Sequence, residues 1–137
     1  MILIAGPSCG GKSTYVQQHA NPTDVVLDFD DIVEQLTGTR YTRTPHILKQ
    51  AQAEWTRRLP LSDWVIWTAP RRTQRGRFRS QWNANIIVVK ASLDTCLTRA
   101  AQHRPLEWQT LIRHWFRDWE PSKSGREQII NTDGPNH

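Results

Sequence analysis

The sequence predicts an α/β fold in which helices cover both faces of a parallel sheet of five strands. Three observations lead to this prediction. Short apolar runs alternate with segments of helical periodicity along the 137 residues, as in repeated strand and helix units. The first apolar run passes directly into a glycine-rich turn and a helical segment. Acidic and arginine-rich segments follow later apolar runs, at the strand ends where ligands gather on parallel sheets.

The first strand is predicted at residues 2–5, and segment 6–14 after it has the spacing Gly-x4-Gly-Lys-Ser. This is the Walker A spacing, in which backbone N–H groups and a helix N-terminus hold a polyphosphate. The lysine reaches the β and γ phosphates and the serine ligates Mg²⁺, so ATP or another nucleoside triphosphate with Mg²⁺ is the expected cofactor. The predicted cofactor-binding residues are Gly6, Ser8, Cys9, Gly10, Gly11, Lys12, Ser13 and Thr14, of which Lys12 is also catalytic and Ser13 the metal ligand.

Composition favours one domain over residues 1–137, since no long Gly/Ser-rich linker interrupts the chain. The net charge is +5, and fourteen of the eighteen basic residues are arginine, which suits planar recognition of phosphate. The two cysteines argue against a disulfide framework. The N-terminal apolar run is short and lacks a basic leader, so we expect no signal peptide, no membrane span and a cytoplasmic protein, or one in the host cytoplasm if phage-encoded.

Residues 25–31 predict a second strand that ends in three acids, Asp28, Asp30 and Asp31. Carboxylates at this strand end can accept a hydroxyl proton or orient Mg²⁺-bound water. Asp30 is the first choice for the catalytic base, Asp28 is predicted to contact substrate, and Asp31 suits the start of the next helix. Solvation or helix capping is the alternative, and which of the three acids is the base stays open.

A helix is predicted from Pro45 to Pro60, because its apolar residues recur at helical spacing. The third strand follows at residues 64–69. A motor-type ATPase would carry an acidic residue at the end of this strand, but here the strand ends in Thr68 and Ala69. The sequence therefore argues against a motor or switch NTPase.

Segment 71–79 holds five arginines in nine residues directly after the third strand. Its place on the predicted rim of the phosphate loop favours substrate binding, for which Arg71, Arg72 and Arg75 are the candidates. A solvated basic helix face is the alternative. Phe78 and Trp82 could stack on a base, although core packing is the favoured interpretation for both.

The remaining segments predict a fourth strand at 85–91, a helix that starts near Ser92, a helix over 106–119 and a fifth strand and turn within 128–134. The 106–119 helix carries an aromatic and aliphatic stripe that favours core packing. Arg99 and Arg104 flank the predicted end of the preceding helix. Arginines on a mobile lid can neutralise charge on a transferring phosphoryl group, so both are predicted to be catalytic, with surface ion pairs as the alternative.

Taken together, these segments resemble the P-loop kinase family, and most of all the kinase domain of phage and bacterial 5′-hydroxyl polynucleotide kinases. The resemblance implies a three-layer P-loop NTPase fold with sheet order 2-3-1-4-5 and a small lid that would hold Arg99 and Arg104. It also implies that the carboxylate at the end of strand two, here Asp30, is the general base. The sequence departs from these kinases at Val33, where they usually carry an arginine that binds substrate phosphate.

The chemistry predicted from the resemblance and the motifs is transfer of the ATP γ-phosphate to a hydroxyl. The expected acceptor is the 5′-hydroxyl of DNA or RNA, or a hydroxymethylated base in DNA, so nucleic acid is the expected partner. Two alternatives are kept: a small-molecule kinase acting on a nucleoside, nucleotide, sugar or antibiotic, and a non-catalytic ATP-binding regulator. The sequence does not indicate an oligomeric state or a preference between ATP and GTP.

Overall fold

The computed structural model describes residues 1–133, in which strands and helices alternate almost throughout. The strands are β1 (Ile2–Ala5), β2 (Val26–Asp28), β3 (Trp64–Trp67), β4 (Asn85–Lys90) and β5 (Glu127–Asn131). The helices are α1 (Lys12–His19), α2 (Phe29–Thr37), α3 (Pro45–Arg58), α4 (Arg72–Trp82), α5 (Leu93–His103) and α6 (Glu107–Asp118), and a 3₁₀ turn (Leu59–Leu61) follows α3.

The five strands form one parallel sheet in the order β2-β3-β1-β4-β5, as the resemblance implies. The central strand β1 is paired on both sides, with Ile2 opposite Trp64 of β3 and opposite Asn85 of β4. The carboxyl ends of all strands therefore lie along one edge. The phosphate loop begins at this edge, directly after β1. The acids lie at the same edge, at the end of β2 and directly after it.

Apolar side chains on the two faces of the sheet build separate cores. Leu3 and Ala5 point to the face covered by α2, α3 and α4, whereas Ile4 points to the face where Val16 of α1 packs. This division follows from the alternation of side chains along a strand. A third cluster joins α5 and α6 around the fully buried Ile112. The sheet is thus covered on both faces, which confirms the predicted fold class.

Element boundaries differ from the predictions mainly around β2. The strand ends at Asp28, and the helix begins at Phe29 rather than near Ile32, because the Asp28 side chain accepts the backbone N–H of Asp30 as an N-cap. The helix ends at Gly38, which has φ of 83°. Pro60 lies in the turn that ends α3, as predicted. The predicted turn at the chain end includes Gly134, which lies outside the described residues.

The arginine-rich segment 71–79 lies in helix α4, except for Arg71, which directly precedes the helix. The helix packs through Phe78 and, in part, through Trp82. Both aromatic residues join the core on that face of the sheet, as favoured over base stacking. Within residues 1–133, no helix is long and apolar enough to cross a membrane.

Candidate active site

The phosphate loop is held in a curved shape that requires glycine at its start. Gly6 has φ of 155°, and a Cβ placed on it would lie 2.0 Å from the carbonyl oxygen of Val89. Gly11 has φ of 103° at the N-cap of α1, and Cys9 between them has φ of 62°. A side chain at Gly6 would collide with backbone that cannot move, so the sequence spacing reflects a real packing constraint.

Lys12 lies over the loop that precedes it. Its ammonium donates hydrogen bonds to the carbonyl oxygens of Gly6, at 2.8 Å, and of Pro7, at 2.7 Å. Burial lowers the pKa of Lys12 to about 8, against the opposing charges of Asp28 and Asp30. The lysine is therefore a partly desolvated point charge at the mouth of the loop, as phosphate binding requires.

Ser13 and Thr14 lie in the first turn of α1, where their side chains are exposed. Within residues 1–133, no three His, Cys, Asp or Glu side chains are arranged to hold a metal ion. A magnesium ion would fit here as it does at nucleotide sites in general. Few of its ligands would be protein oxygens, and the others would be water and phosphate oxygens. The Ser13 hydroxyl is the residue that would hold it, and this assignment stays a prediction.

Arg99 supports the phosphate loop from behind, which differs from the role predicted for it. Its guanidinium donates to the carbonyl oxygen of Cys9 at 3.0 Å and to the side-chain and backbone oxygens of Thr132 at 3.2 and 3.0 Å. The Thr132 hydroxyl in turn donates to the Gly10 carbonyl at 2.8 Å. Arg99 lies within α5 rather than near its end, and it holds the loop through Thr132 at the end of β5. A catalytic role for Arg99 stays a prediction.

Arg104 ends α5 and does not line the cleft described below. One of its nitrogens donates to the His103 carbonyl, and its guanidinium lies 5.5 Å from the ring centroid of Tyr41. A catalytic role for Arg104 stays a prediction.

Cys9 packs its side chain against the α5 cluster that contains Cys96. Its contribution to the loop is therefore made by its backbone.

The three acids after β2 have separate environments. Asp28 is nearly buried, and burial together with the charges of Asp31 and Asp30 raises its pKa to about 6, although Arg40 at 3.4 Å opposes this shift. Asp30 is about one-third exposed and pairs with Arg43 at 3.2 Å. Asp31 is bound by Arg40 and is half exposed. Asp28 and Asp30 line the cleft and Asp31 does not, and the predicted role of one of these acids as a base stays a prediction.

Arg75 was predicted to bind substrate, and the structure contradicts this prediction. Its side chain is fully buried and forms an ion pair with Glu127, itself 3% exposed, at 2.7 Å. It also donates to the carbonyl oxygens of Ala69 at 2.9 Å, Pro70 at 2.8 Å and Glu120. The guanidinium lies 4.7 Å from the ring centroid of Trp119 and has no surface for a ligand. Composition indicated a phosphate patch here, but helical spacing turns this arginine inward.

Arg71 and Arg72 remain at the surface, where acids at the end of α6 and just after it partner them. Arg71 lies 3.3 Å from Asp118 and Arg72 lies 3.9 Å from Glu120. Neither arginine lines the cleft. Their substrate-binding role stays a prediction, but the segment does not form the continuous basic track that its sequence suggests.

An open cleft of about 1480 Å³ lies at the carboxyl edge of the sheet, and both the phosphate loop and the acids after β2 contribute to its lining. Ser8 and Lys12 of the phosphate loop contribute to one part of its lining, and Asp28 and Asp30 to another. The rest of the wall comes from the loop between α2 and α3, from α3, from the end of β3 and from α6, and includes Tyr41, Arg43, Trp55, Trp67, Trp108 and Trp115. The α6 stripe therefore serves both as core and as cleft wall.

Sequence reasoning missed Arg43 and the aromatic residues of the wall. Arg43 lies between the second and third helices, and a single arginine there has no distinctive spacing. Trp115 does have a place in the stripe, and its indole N–H donates to the Thr68 carbonyl at 2.7 Å, which fastens α6 to the end of β3. The aromatic stripe of residues 106–119 was the one feature of the sequence that could have indicated this wall of the cleft.

Comparison with protein families identifies the group to which this arrangement belongs. A family profile described as an AAA domain matches residues 1–107, from β1 to the start of α6. The chain belongs to this AAA domain family. The matched range of the AAA domain includes the phosphate loop, the acids after β2 and the arginine-rich helix α4. No curated protein matches the chain with significant similarity.

Several solved structures similar to this AAA domain are kinases. A sugar kinase from Janibacter sp. HTCC2649 has a TM-score of 0.63 at 17% identity, over 98% of this chain and 86% of that one. A shikimate kinase from Acinetobacter baumannii gives 0.59 at 16%, over 98% and 84%. A gluconokinase from Sinorhizobium meliloti 1021 gives 0.58 at 17%, over 98% and 83%. At these identities the likeness establishes a P-loop kinase fold.

Proposed function

We propose that this protein transfers the γ-phosphoryl group of ATP, or of another nucleoside triphosphate, to a hydroxyl of a small molecule bound in the cleft. One observation carries the proposal: Lys12 of the phosphate loop and the carboxylates of Asp28 and Asp30 line the same open volume. Phosphoryl transfer depends mainly on positioning and electrostatics, so a loop for the donor and a carboxylate for the acceptor are its main requirements.

In this proposal each residue has a defined part. ATP supplies the phosphoryl group. The Mg²⁺ that Ser13 would hold would neutralise negative charge on the phosphate oxygens of ATP. The loop N–H groups and Lys12 hold the β and γ phosphates, and Arg99 keeps the loop in shape. Asp30 takes the proton of the acceptor hydroxyl while that oxygen bonds to the γ-phosphorus and the bond to ADP breaks. Asp28 fixes the backbone at Asp30 through its hydrogen bond to the Asp30 N–H, at 3.0 Å.

The charges of the cleft favour a small acceptor over a polynucleotide. The lysine and arginine side chains in its lining are Lys12 and Arg43, whereas the acids are Asp28, Asp30, Glu107 and Asp118. A nucleic-acid strand gains most of its affinity from several phosphate contacts, which this wall offers poorly. The three similar structures compared above are a sugar kinase, a gluconokinase and a shikimate kinase.

Two further observations weaken the case for a polynucleotide acceptor without excluding it. Arg75 is fully buried, and Arg71 and Arg72, which do not line the cleft, pair with Asp118 and Glu120. Val33 is also fully buried, so the position where polynucleotide kinases usually bind a substrate phosphate belongs here to the core. The 5′-hydroxyl of DNA or RNA and the hydroxymethylated base stay predictions, as does a non-catalytic regulator.

The test measures transfer of labelled γ-phosphate to a panel of sugars, sugar acids, shikimate, nucleosides and nucleotides. DNA and RNA oligonucleotides with 5′-hydroxyl ends, and duplexes with hydroxymethylated bases, complete the panel. We expect label on a small molecule, and we expect Asp30→Asn to lower the rate by about 10²- to 10⁴-fold because the base is lost. Asp94→Asn, at an exposed acid in the first turn of α5, is the matched control and should transfer normally.

Each alternative has its own result in this experiment. Label found only on oligonucleotides, at a rate that falls steeply as salt rises, would establish the polynucleotide prediction instead. Tight Mg-ATP binding without transfer to any hydroxyl would point to the regulator. Normal transfer by Asp30→Asn would remove Asp30 from the mechanism and leave Asp28 as the candidate base.

A further inference from the structure

Arg43 lies in the loop between α2 and α3, and this loop reaches across the cleft to α6. The Arg43 guanidinium lies 4.8 Å from the ring centroid of Trp108. Tyr41, two residues earlier, meets the same indole edge-on with ring centroids 5.1 Å apart. Its hydroxyl also donates to the His103 carbonyl at 3.4 Å. These contacts hold one face of the Arg43 guanidinium against the aromatic wall of the cleft.

The same guanidinium is bound to the proposed base. One Arg43 nitrogen donates to a carboxylate oxygen of Asp30 at 3.2 Å. This hydrogen bond occupies one of the carboxylate oxygens that would accept the proton of an acceptor hydroxyl. A guanidinium has five N–H donors in a fixed fork, and the Asp30 bond uses one of them. Arg43 is also 36% exposed, so a molecule in the cleft can reach it.

Lys12 and Arg43 are the lysine and arginine side chains that line the cleft within residues 1–133. Lys12 is held against the phosphate loop by two carbonyl oxygens, which assigns it to the donor nucleotide. Arg43 is the cation that remains for the acceptor. Stacking on Trp108 orients the fork, and planar forks pair well with carboxylate or phosphate oxygens.

We propose that Arg43 binds an anionic group of the acceptor and, until it does so, masks Asp30. The acceptor is then a small hydroxyl compound that carries a carboxylate or a phosphate monoester, and its anion competes with Asp30 for the guanidinium. When the anion takes the guanidinium, the Asp30 carboxylate oxygen is released from its hydrogen bond to Arg43 and is free to accept the proton of the acceptor hydroxyl. This inference rests on the proposed kinase function and specifies its substrate class.

The masking role predicts effects of opposite sign from one substitution. Arg43→Gln removes the receptor, so anionic acceptors should lose kcat/KM by about 10- to 100-fold, the range for a hydrogen bond between charged groups. The same change unmasks Asp30, so neutral analogues, and water in basal ATP hydrolysis, should react several-fold faster. Arg43→Lys keeps the positive charge but not the planar fork. Its kcat/KM for anionic acceptors should therefore lie between the values for the wild type and for Arg43→Gln. Arg113→Gln, at an exposed arginine of α6 outside the cleft lining, is the matched control and should behave as wild type.

The experiment uses matched pairs that differ in the charged group: gluconate and glucitol, shikimate and its methyl ester, a sugar phosphate and the free sugar, a nucleoside monophosphate and the nucleoside. Binding is measured by ligand-observed NMR with Mg²⁺ and a non-hydrolysable ATP analogue, and transfer and basal hydrolysis are measured with ATP. We expect wild-type protein to prefer anionic members and Arg43→Gln to lose that preference. Carboxylate and phosphate pairs in one panel distinguish the two anion chemistries.

The results separate this inference from the kinase proposal. Equal binding of both members of each pair, absence of binding by every anionic member, or an unchanged preference in Arg43→Gln would overturn the inference. A parallel loss for neutral and anionic acceptors would also overturn it, because Arg43 would then serve only the structure of the loop. If anionic members bind through Arg43 but no phosphate is transferred, the kinase proposal fails while the anion site stands.

Discussion

The buried ion pair between Arg75 and Glu127 is the sharpest test of how the arginine-rich helix works in this protein. Arg75→Met keeps an unbranched side chain in the core but removes the guanidinium. The Glu127 carboxylate, 3% exposed, would then be buried without its partner. Glu127 already has one carboxylate oxygen without a hydrogen-bond partner among the described atoms, so it has no substitute donor nearby.

The magnitude follows from what is left unpaired. Removing one partner of a buried ion pair costs about 3–5 kcal/mol of unfolding free energy. The carbonyl oxygens of Ala69, Pro70 and Glu120 would lose donors as well. In urea, with a slope of about 2 kcal/mol per molar for a small domain, a loss of 4 kcal/mol lowers the unfolding midpoint by about 2 M. The double variant Arg75→Met with Glu127→Leu should regain most of this loss, because the buried charge is gone.

The assay is urea unfolding of the wild type, both single variants, the double variant and the control Arg77→Met, an exposed arginine on the same helix. The control should stay within about 0.5 kcal/mol of the wild type. A loss below about 1 kcal/mol in Arg75→Met, or no recovery in the double variant, would refute the reasoning. A variant that keeps its stability but loses acceptor binding would return Arg75 to the substrate site.

Three further predictions concern the phosphate loop and the acids beside it. Gly6→Ala should cost about 3 kcal/mol or more of unfolding free energy in urea, because its Cβ would meet the Val89 carbonyl oxygen at 2.0 Å; Gly38→Ala, with φ of 83° but open space around it, should cost only about 1 kcal/mol, and equal losses would contradict the steric argument. The raised pKa of Asp28, about 6, means that the native state binds the proton more tightly than the unfolded state, so its contribution is fully present below pH 4 and lost as pH rises through 6. Asp28→Asn should therefore gain stability relative to wild type across this window, by up to about 3 kcal/mol at pH 7, and a pH-independent difference would refute the shift. Because the pKa of Lys12 is lowered to about 8, kcat/KM for ATP should fall above that pH as the ammonium is lost, and a profile flat to pH 10 would contradict it.

Local sequence was sufficient to predict most of the fold. Periodicity located the strands and helices, since apolar runs and helical spacing are properties of neighbouring residues. The sheet order came from the resemblance rather than from the pattern. The boundary after β2 was misplaced, because the sequence offered three acids as caps and the structure uses Asp28, which sets the helix start three residues earlier.

The sequence by itself determined the phosphate loop, and tertiary packing decided which other side chains line the cleft. The phosphate loop is one continuous segment whose glycines and lysine act through local backbone geometry, so its spacing alone identified it. The fate of an arginine depends instead on which side of its helix meets the sheet and which distant carboxylate lies there. Arg75 was therefore lost to the core, 52 residues from its partner Glu127 along the chain, and Arg99 was turned to the back of the loop. Arg43 gained its place in the cleft only because its loop packs on Trp108 of α6, a contact that no local pattern encodes.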